Sequence, residues 1–365
     1  MAHCRMLGKT GYGAIGRTMP SSGHPTISAI VPVHNGGEHF HRCLKNLSQA
    51  DPPPHEIIVV ADGETDGSSR VAETFGARVI RLPVTGGPAR ARNHGARAAT
   101  GDVLLFIDSD VVVPPDTVGK VAAIFKDDPA LAALLGSYDD EPGATNFLSQ
   151  YKNLLHHYVH QTAREDASTF WGACGAIRRE VFLALDGFDE SYRHPSIEDV
   201  ELGYRLRQAG YSIRLCKELQ VKHLKRWGVL SLLKSDLLHR ALPWTELTLR
   251  RRHLLNDLNL RLSSRVSAVL ACGLAASLVG AWWRIGLLGL ATALGLLLLA
   301  LNAPLYLFFY RKRGLRFTLQ ALLWHWFYYL YSTVAFATGA LLHIANRSLS
   351  GTSRLSKAIL PMGRS

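Results

Sequence analysis

The feature that most restricts the fold of this chain is a C-terminal third that is long, apolar and free of carboxylates. No acidic residue follows Asp257 in a sequence of 365 residues. Residues 266–283 and 285–310 contain no charged side chain, and about 20 predominantly apolar residues let a helix cross a bilayer. A helical bundle in water would ordinarily show carboxylates on its wet face. The pattern therefore predicts two membrane-spanning helices.

A third apolar segment, residues 317–345, allows two interpretations. Its strongly polar interruptions are Gln320, His325 and His343, and its clustered Trp and Tyr residues are typical of a membrane interface. A full crossing would put the basic C-terminal residues outside, against the preference of basic residues for the cytosolic side. Alternatively, the segment bends back or lies in the interface. We predict a third span within a transmembrane module over 263–346, followed by a basic tail over 347–365.

The net charge of +12, from 41 basic and 29 acidic residues, is localised in the same region. Eleven basic residues follow Asp257, which leaves 30 basic against 29 acidic residues before it. Because the first two thirds are electrostatically balanced, we expect a membrane lipid partner and no nucleic acid.

The N-terminal end carries no recognisable targeting signal. Residues 1–25 lack the continuous apolar core of a signal peptide, and we interpret them as a flexible tail. The five cysteines contain no CxxC pair, so neither a zinc knuckle nor a disulfide framework is expected. The following domain, residues 26–222, should therefore lie in the cytosol of a multi-pass membrane protein.

Within residues 26–222, short apolar runs alternate with segments of helical spacing. The four runs have strand length and many β-branched residues; they are 27–33, 56–61, 78–82 and 103–107. Strand, helix, strand, helix predicts an α/β fold with a mostly parallel sheet and helices on both faces. Ligands of such sheets bind beyond the carboxyl ends of the strands. The polar residues that follow these runs are Asn35, Asp62, Asp108 and Asp110.

This set of residues indicates a site for a nucleotide diphosphate. Asp108 and Asp110 flank one residue and can offer oxygen ligands to Mg²⁺ or Mn²⁺, which bind through substrate phosphates. Asp62 is placed to hold a base or ribose, and Arg92 could meet phosphate with its forked donors.

The same residues lie in longer motifs that resemble family 2 glycosyltransferases of the GT-A fold. The motifs are ISAIVPVHN, VADGETDGSS, GPARARNHGARAATGDVLLFIDSDVVV, FWGACGAIRREVFLALDGFDE and IEDVELGYRLRQAGY, between Ile27 and Tyr211. The resemblance implies transfer of a sugar from a nucleotide-sugar donor, with a UDP-sugar expected. It implies that Pro32, Asn35, Asp62 and Arg92 serve the donor, that Asp108 and Asp110 serve its diphosphate, and that Asp110 also binds the metal.

The resemblance also implies a catalytic pair, Glu198 and Asp199, with Asp199 as the base. An inverting transfer needs a base to take the proton of the acceptor hydroxyl. Asp199 precedes a helical pattern, and the N-terminal turn of a helix favours an ionised carboxylate. Trp171 and Gly172 fall in the segment that the resemblance places on the acceptor side.

The segment VKHLKRW, residues 221–227, resembles the QxxRW motif of processive β-glycan synthases, with His223 in place of Gln. We predict His223 as a further metal ligand and place Arg226 and Trp227 on the acceptor side. Trp227 could stack on a sugar or anchor the domain at lipid headgroups. Residues 223–262 are interpreted as amphipathic interfacial helices. His156 and His160 share a helical face but lack the Glu of HExxH, which favours a surface or packing role.

Together these patterns predict a membrane-anchored inverting glycosyltransferase that uses Mn²⁺ or Mg²⁺. Its acceptor would be membrane-associated, either lipid-linked or a glycan of the cell envelope. Two alternatives remain open: a processive polysaccharide synthase, and a catalytically silent membrane scaffold that retains the fold.

Overall fold

A computed structural model describes residues 23–251 and 261–358, with side chains described over 23–250 and 261–345. The predicted N-terminal tail before residue 23, the end of the interfacial segment over 252–260 and the last residues of the basic tail lie outside this part. The strands are β1 Ile27–Val33, β2 Glu56–Asp62, β3 Arg78–Leu82, β4 Val103–Ile107, β5 Val111–Val112, β6 Ala133–Tyr138, β7 Cys174–Arg178 and β8 Ile213–His223.

Helices separate most of these strands and then dominate the C-terminal part. They are α1 Gly37–Ser48, α2 Ser68–Thr74, α3 Pro88–Ala98, α4 Thr117–Asp127, α5 Phe147–Thr162, α6 Arg179–Ala184, α7 Glu198–Gln208, α8 Val229–Lys234, α9 Leu242–Arg251, α10 Leu262–Gly280 and α11 Leu287–Ala358. A π-helical turn, Ser235–Ala241, joins α8 to α9.

The described strands form one mixed sheet in the order β3-β2-β1-β4-β7-β6-β8-β5. The first four strands of this order are parallel neighbours, whereas β7 runs antiparallel to both β4 and β6. Alternate residues of β1 enter separate cores: Val31 packs on one face and Ile30 on the other. Because both faces are covered, these strands appear in the sequence as continuous apolar runs.

The antiparallel direction of β7 determines which residues lie next to Asp108 and Asp110, at the end of β4. Ile107 pairs with Cys174, so the residues before β7 meet those after β4, and the Asp108 amide lies 3.3 Å from the Ala173 carbonyl. Trp171 and Gly172 therefore reach the same sheet edge as Asp108, although over sixty positions separate them in the sequence.

The C-terminal helices form an antiparallel arrangement that folds back at Gly314, where φ is +77°. Tyr329 donates to Asn302 Oδ1 at 2.9 Å, and the side-chain amide of Asn302 donates to Ser267 of α10 at 2.9 Å. Residues 27 positions apart could not touch along one straight helix, so α11 is a hairpin of two helical arms. Two helical stretches, Leu262–Gly280 and Leu287–Ala345, are long and apolar enough to span a membrane.

The second arm of α11 also contacts the π-helical turn and α9. Tyr331 donates to Asp236 at 2.8 Å, and His343 Nδ1 lies 2.8 Å from Glu246 of α9. Helix α9 in turn contacts α7, where Trp244 donates to the Tyr204 hydroxyl at 3.1 Å. The last part of the arm is thus tied to the sheet domain through α9.

Candidate active site

A polar cavity lies at the carboxyl edge of the sheet and extends toward the C-terminal helices. Eight of the residues singled out in the sequence line it; they are Arg92, Asp108, Asp110, Trp171, Glu198, Asp199, His223 and Trp227. The other five predicted residues, Pro32, Asn35, Asp62, Gly172 and Arg226, lie outside the lining. Residues from α3 to the π-helical turn are brought together because the sheet gathers the loops and helix starts that follow its strands.

Arg92 links Asp108, after β4, to Glu198, one of the two predicted catalytic residues. Its two terminal nitrogens donate to Asp108 Oδ1 at 2.6 Å and to Glu198 Oε1 at 2.7 Å. Only 4% of its surface is exposed. Burial opposes the charge of Arg92, but Asp108 and Glu198 outweigh burial and raise its pKa. Both terminal nitrogens are engaged by carboxylates in the structure, and the contact of Arg92 with phosphate stays a prediction.

Asp199 stands in the first turn of α7, which begins at Glu198. One carboxylate oxygen accepts from the Gly172 amide at 3.0 Å and the other from the Val200 amide at 2.8 Å. Burial, reinforced by the charge of Glu198, raises the pKa of Asp199 to about 6. A carboxyl group with this pKa is ionised at neutral pH and remains basic enough to accept a proton.

The position of Gly172 also leaves no room for a side chain. A Cβ at this position would lie 2.9 Å from Cζ of Arg92. The absence of a side chain lets the buried guanidinium approach the backbone that holds Asp199.

Asp110 and His223 form the pair that could hold a metal ion. Val111 pairs with His223 across the β5–β8 ladder, and this places His223 Nε2 3.6 Å from Asp110 Oδ2. The His223 ring stacks on Tyr138, with centroids 4.3 Å apart. In the described part of the chain no group of three or more His, Cys, Asp or Glu residues has metal-site geometry. One carboxylate and one imidazole fit a divalent ion whose other ligands come from phosphate and water.

Asp62 has a structural role that the sequence did not predict. Its carboxylate accepts from the Thr85 hydroxyl and from the amides of Gly86 and Gly87, all at about 2.9 Å. Gly87 has φ of +92°, and a Cβ there would lie 2.4 Å from the Arg193 carbonyl oxygen. Asp62 therefore shapes the loop before α3, and its contact with a base stays a prediction.

The two other predicted donor residues lie near the same edge. Asn35 has a φ of +53° and accepts from the Thr65 amide at 2.7 Å, which joins the loops after β1 and β2. Pro32 is buried in β1 opposite Val60. Donor contacts of both residues remain predictions.

The acceptor-side residues differ in exposure. The Trp171 ring packs edge-on to Tyr138 at 4.7 Å and against His156 at 4.8 Å. Trp227 is 7% exposed and packs with Leu148 and Leu232. Arg226 is exposed beside it. The structure thus brings the indole of Trp227, and not the guanidinium of Arg226, to the cavity.

Several lining residues were not recognised in the sequence. They are Tyr138, Lys152, Asn153, His156, Lys225, Ser235 and Arg240. His156 does pack, as expected, on His160 with centroids 3.9 Å apart, yet it also borders the cavity. The signal for His156 was its spacing from His160. Lys225 lies within the VKHLKRW segment but received no role there, and Tyr138 ends β6. The other residues belong to no motif and reach the site through α5 and the π-helical turn.

A mixed sheet of this order, with carboxylates gathered at its carboxyl edge, defines a protein of the GT-A class. The structure of the mannosyltransferase PcManGT from Pyrobaculum calidifontis, in complex with GDP-Man and Mn²⁺, shares this fold, with a TM-score of 0.52, 16% identity and 88% of each chain covered. Residues 28–185 match Glycosyl transferase family 2, and the chain carries a glycosyltransferase domain of this family.

Curated relatives extend the match beyond this domain. Succinoglycan biosynthesis protein ExoA of Rhizobium meliloti is 26% identical over 236 residues, covering 59% of this chain and 71% of that protein. O-antigen chain rhamnosyltransferase WbaN of Salmonella anatum is 27% identical over 247 residues, covering 61% and 75%.

Proposed function

We propose that this chain is a membrane-anchored inverting glycosyltransferase that transfers a sugar from a nucleotide-diphosphate donor to a membrane-associated acceptor. The observation that carries the proposal is the Asp199 carboxylate, which is held by the Gly172 amide at 3.0 Å in the cavity that also contains Asp110 and His223. A proton acceptor and a candidate diphosphate site thus face one space.

In this proposal Asp199 accepts the proton of the acceptor hydroxyl as the oxygen attacks the donor sugar. Arg92 keeps Glu198 and Asp108 in place through its two ion pairs. A divalent ion held by Asp110 and His223 would neutralise the charge that develops on the leaving diphosphate. The GDP-Man and Mn²⁺ complex of PcManGT supports a nucleotide-sugar donor and this kind of ion.

The acceptor and the location follow from the C-terminal module. Two helical stretches that follow the site in the chain are long and apolar enough to span a membrane, and they would hold the domain at the cytosolic membrane surface. The relatives are named for succinoglycan biosynthesis and O-antigen chain rhamnosyl transfer, which supports a lipid-linked or envelope-glycan acceptor.

The test is turnover of UDP- and GDP-sugars by the full chain purified in detergent, with Mn²⁺ and with EDTA. Asp199→Asn should reduce transfer by about 10²- to 10⁴-fold, the usual contribution of a general base. Asp127→Asn, an exposed carboxylate at the end of α4, serves as the matched control and should leave turnover unchanged.

The outcomes also separate the alternatives. Wild-type transfer by Asp199→Asn would show that another group is the base. Failure of the wild type to bind or turn over any donor would favour a silent scaffold, and a ladder of long products would indicate a processive synthase.

A further inference from the structure

The side of the cavity that faces the C-terminal helices differs in charge from the side with Asp110 and Asp199. We call it the cationic lobe; its residues are Lys152, Asn153, His156, Lys225, Trp227 and Arg240. They come from α5, from the segment after β8 and from the π-helical turn. Such turns are frequent at functional sites.

Two exposed cations of the lobe, Lys225 and Arg240, act on Asp110 and Asp199 only at a distance. Arg92 is paired with Asp108 and Glu198, and Lys152 is paired with Asp236 at 2.7 Å. Among the described residues, no carboxylate lies within ion-pair distance of Lys225 or Arg240. The Lys225 ammonium lies 4.4 Å from the centre of the Trp227 ring, which holds this charge at the cavity wall.

The lobe also contains buried polar atoms without a hydrogen-bond partner. They are Oδ1 of Asn153, Nδ1 of His156 and Nε1 of Trp227. Asn153 and Trp227 are 2% and 7% exposed. Buried polar groups in folded proteins are nearly always paired, and an unpaired one calls for an explanation. An indole N–H can only donate, so the group that satisfies Trp227 must carry an acceptor.

The lobe is fixed to the helical module that we propose lies in the membrane. Asp236 of the π-helical turn is 7% exposed and bonds both Lys152 and Tyr331 of α11. Trp227 packs beside Trp324 of the same helix. A ligand in the lobe would therefore lie between the predicted base and the membrane-facing helices.

We infer that the cationic lobe binds the phosphate ester of the acceptor, with Lys225 and Arg240 as its charge partners. Unpaired cations and a buried N–H donor complement a phosphate oxyanion, which accepts charge-assisted hydrogen bonds. The assignment to the acceptor rests on the proposed function, since the donor diphosphate is placed at Asp110 and His223. It favours a lipid-linked phosphate ester over a neutral glycan as the acceptor.

The experiment is a calorimetric titration of the full chain in neutral detergent with butyl phosphate, a soluble phosphate monoester. Lys225→Gln and Arg240→Gln should each weaken butyl phosphate binding by about tenfold, the order expected for a charge-assisted hydrogen bond. Lys234→Gln, an exposed lysine of α8 outside the lining, is the matched control and should bind like the wild type. Butanol should not bind.

Binding of UDP and GDP with Mn²⁺ distinguishes the two sources of phosphate. Nucleotide affinity within twofold of wild type in Lys225→Gln and Arg240→Gln supports the acceptor assignment. If the variants lost as much affinity for the nucleotides as for butyl phosphate, the donor diphosphate would lie in the lobe and the acceptor assignment would be wrong. The inference would also be overturned if both variants bound butyl phosphate as tightly as the wild type does. The same holds if the wild type bound inorganic phosphate as tightly as butyl phosphate. The titration needs no turnover, so its result is independent of whether the chain transfers sugar.

Discussion

At the scale of single residues, the candidate site is organised by charges that share a small volume. Arg92 bridges two carboxylates from distant parts of the sequence. Within the described ranges, 23–250 and 261–345, Asp199 forms no ion pair. The sequence identified each of these residues, but it did not show which of them pair with one another. A motif shows which side chains follow a strand, whereas the pairing of Arg92 with Glu198 spans 106 positions and depends on how α3 meets α7.

The first residue-scale prediction concerns Arg92. Arg92→Met should destabilise the protein by about 3–5 kcal/mol, because removing one partner of a buried ion pair leaves the other charge uncompensated. Arg97→Met removes a half-exposed arginine, 3.2 Å from Glu190, and should cost less than about 1 kcal/mol. Thermal unfolding of the purified protein measures both. Equal midpoints for the two variants would refute the bridging role.

The second residue-scale prediction is the pH dependence of transfer. Because the pKa of Asp199 is raised to about 6, activity should fall about tenfold per pH unit below that value as the base becomes protonated. In Asp199→Asn the low remaining activity should lose this dependence. A profile that is flat in the wild type between pH 5 and pH 7 would exclude Asp199 as the base.

The raised pKa of Asp199 also makes the stability of the folded protein depend on pH. The folded state binds the Asp199 proton more tightly than the unfolded state, so the stability contributed by Asp199 is lost as pH rises through about 6. Asp199→Asn should therefore unfold at a higher temperature than the wild type at pH 7.5. The difference should shrink toward pH 4.

At the scale of elements, helix and strand positions followed from apolar periodicity, but strand direction did not. The runs at 27–33, 78–82 and 103–107 are strands with the predicted bounds. The sheet is mixed because β7 enters it antiparallel between β4 and β6. A parallel and an antiparallel buried strand bury the same side chains, so the apolar pattern carries no signal of this reversal.

The element-scale prediction concerns the turn of the α11 hairpin. Gly314 has φ of +77° and ψ of −177°, a conformation that is almost restricted to glycine. Gly314→Ala should cost about 1–3 kcal/mol, whereas Gly289→Ala in the first arm, where nothing lies near the new Cβ, should be neutral or stabilising. Thermal unfolding in detergent compares the two. Equal effects would contradict a tight turn at Gly314.

At the scale of the whole molecule, the C-terminal module would determine how the site faces a membrane in the proposed function. Arg313 in the hairpin turn donates to the Asp140 carbonyl and to Gln150, both in the sheet domain. The link between α10 and α11 lies at the opposite end of the helical module, where Trp282 is 89% exposed. The basic run 311–313 and the sheet domain therefore lie at the same end of the helical module, the arrangement that the positive-inside preference would favour in a membrane protein.

The whole-molecule prediction is the topology in intact cells. With the native cysteines replaced, Arg284→Cys should react with a membrane-impermeant maleimide, and Lys45→Cys, exposed on α1, should react only after permeabilisation. A cysteine at position 360 reports on the third segment: labelling from outside indicates a full crossing, and protection indicates that the second arm of α11 lies in the interface. Protection of position 284 would contradict the proposed orientation.

The sequence by itself determined the α/β alternation, the carboxylates at the strand ends and the apolar helices, because these depend on local spacing and on the order of residue types. Only the tertiary structure decided which charges meet: Arg92 with Glu198, Asp110 with His223, and Asp62 with the loop before α3. It also brought Lys225 and Arg240 into the cavity. These contacts join residues far apart in the chain, and their energies arise from burial and distance, which only the packed fold sets.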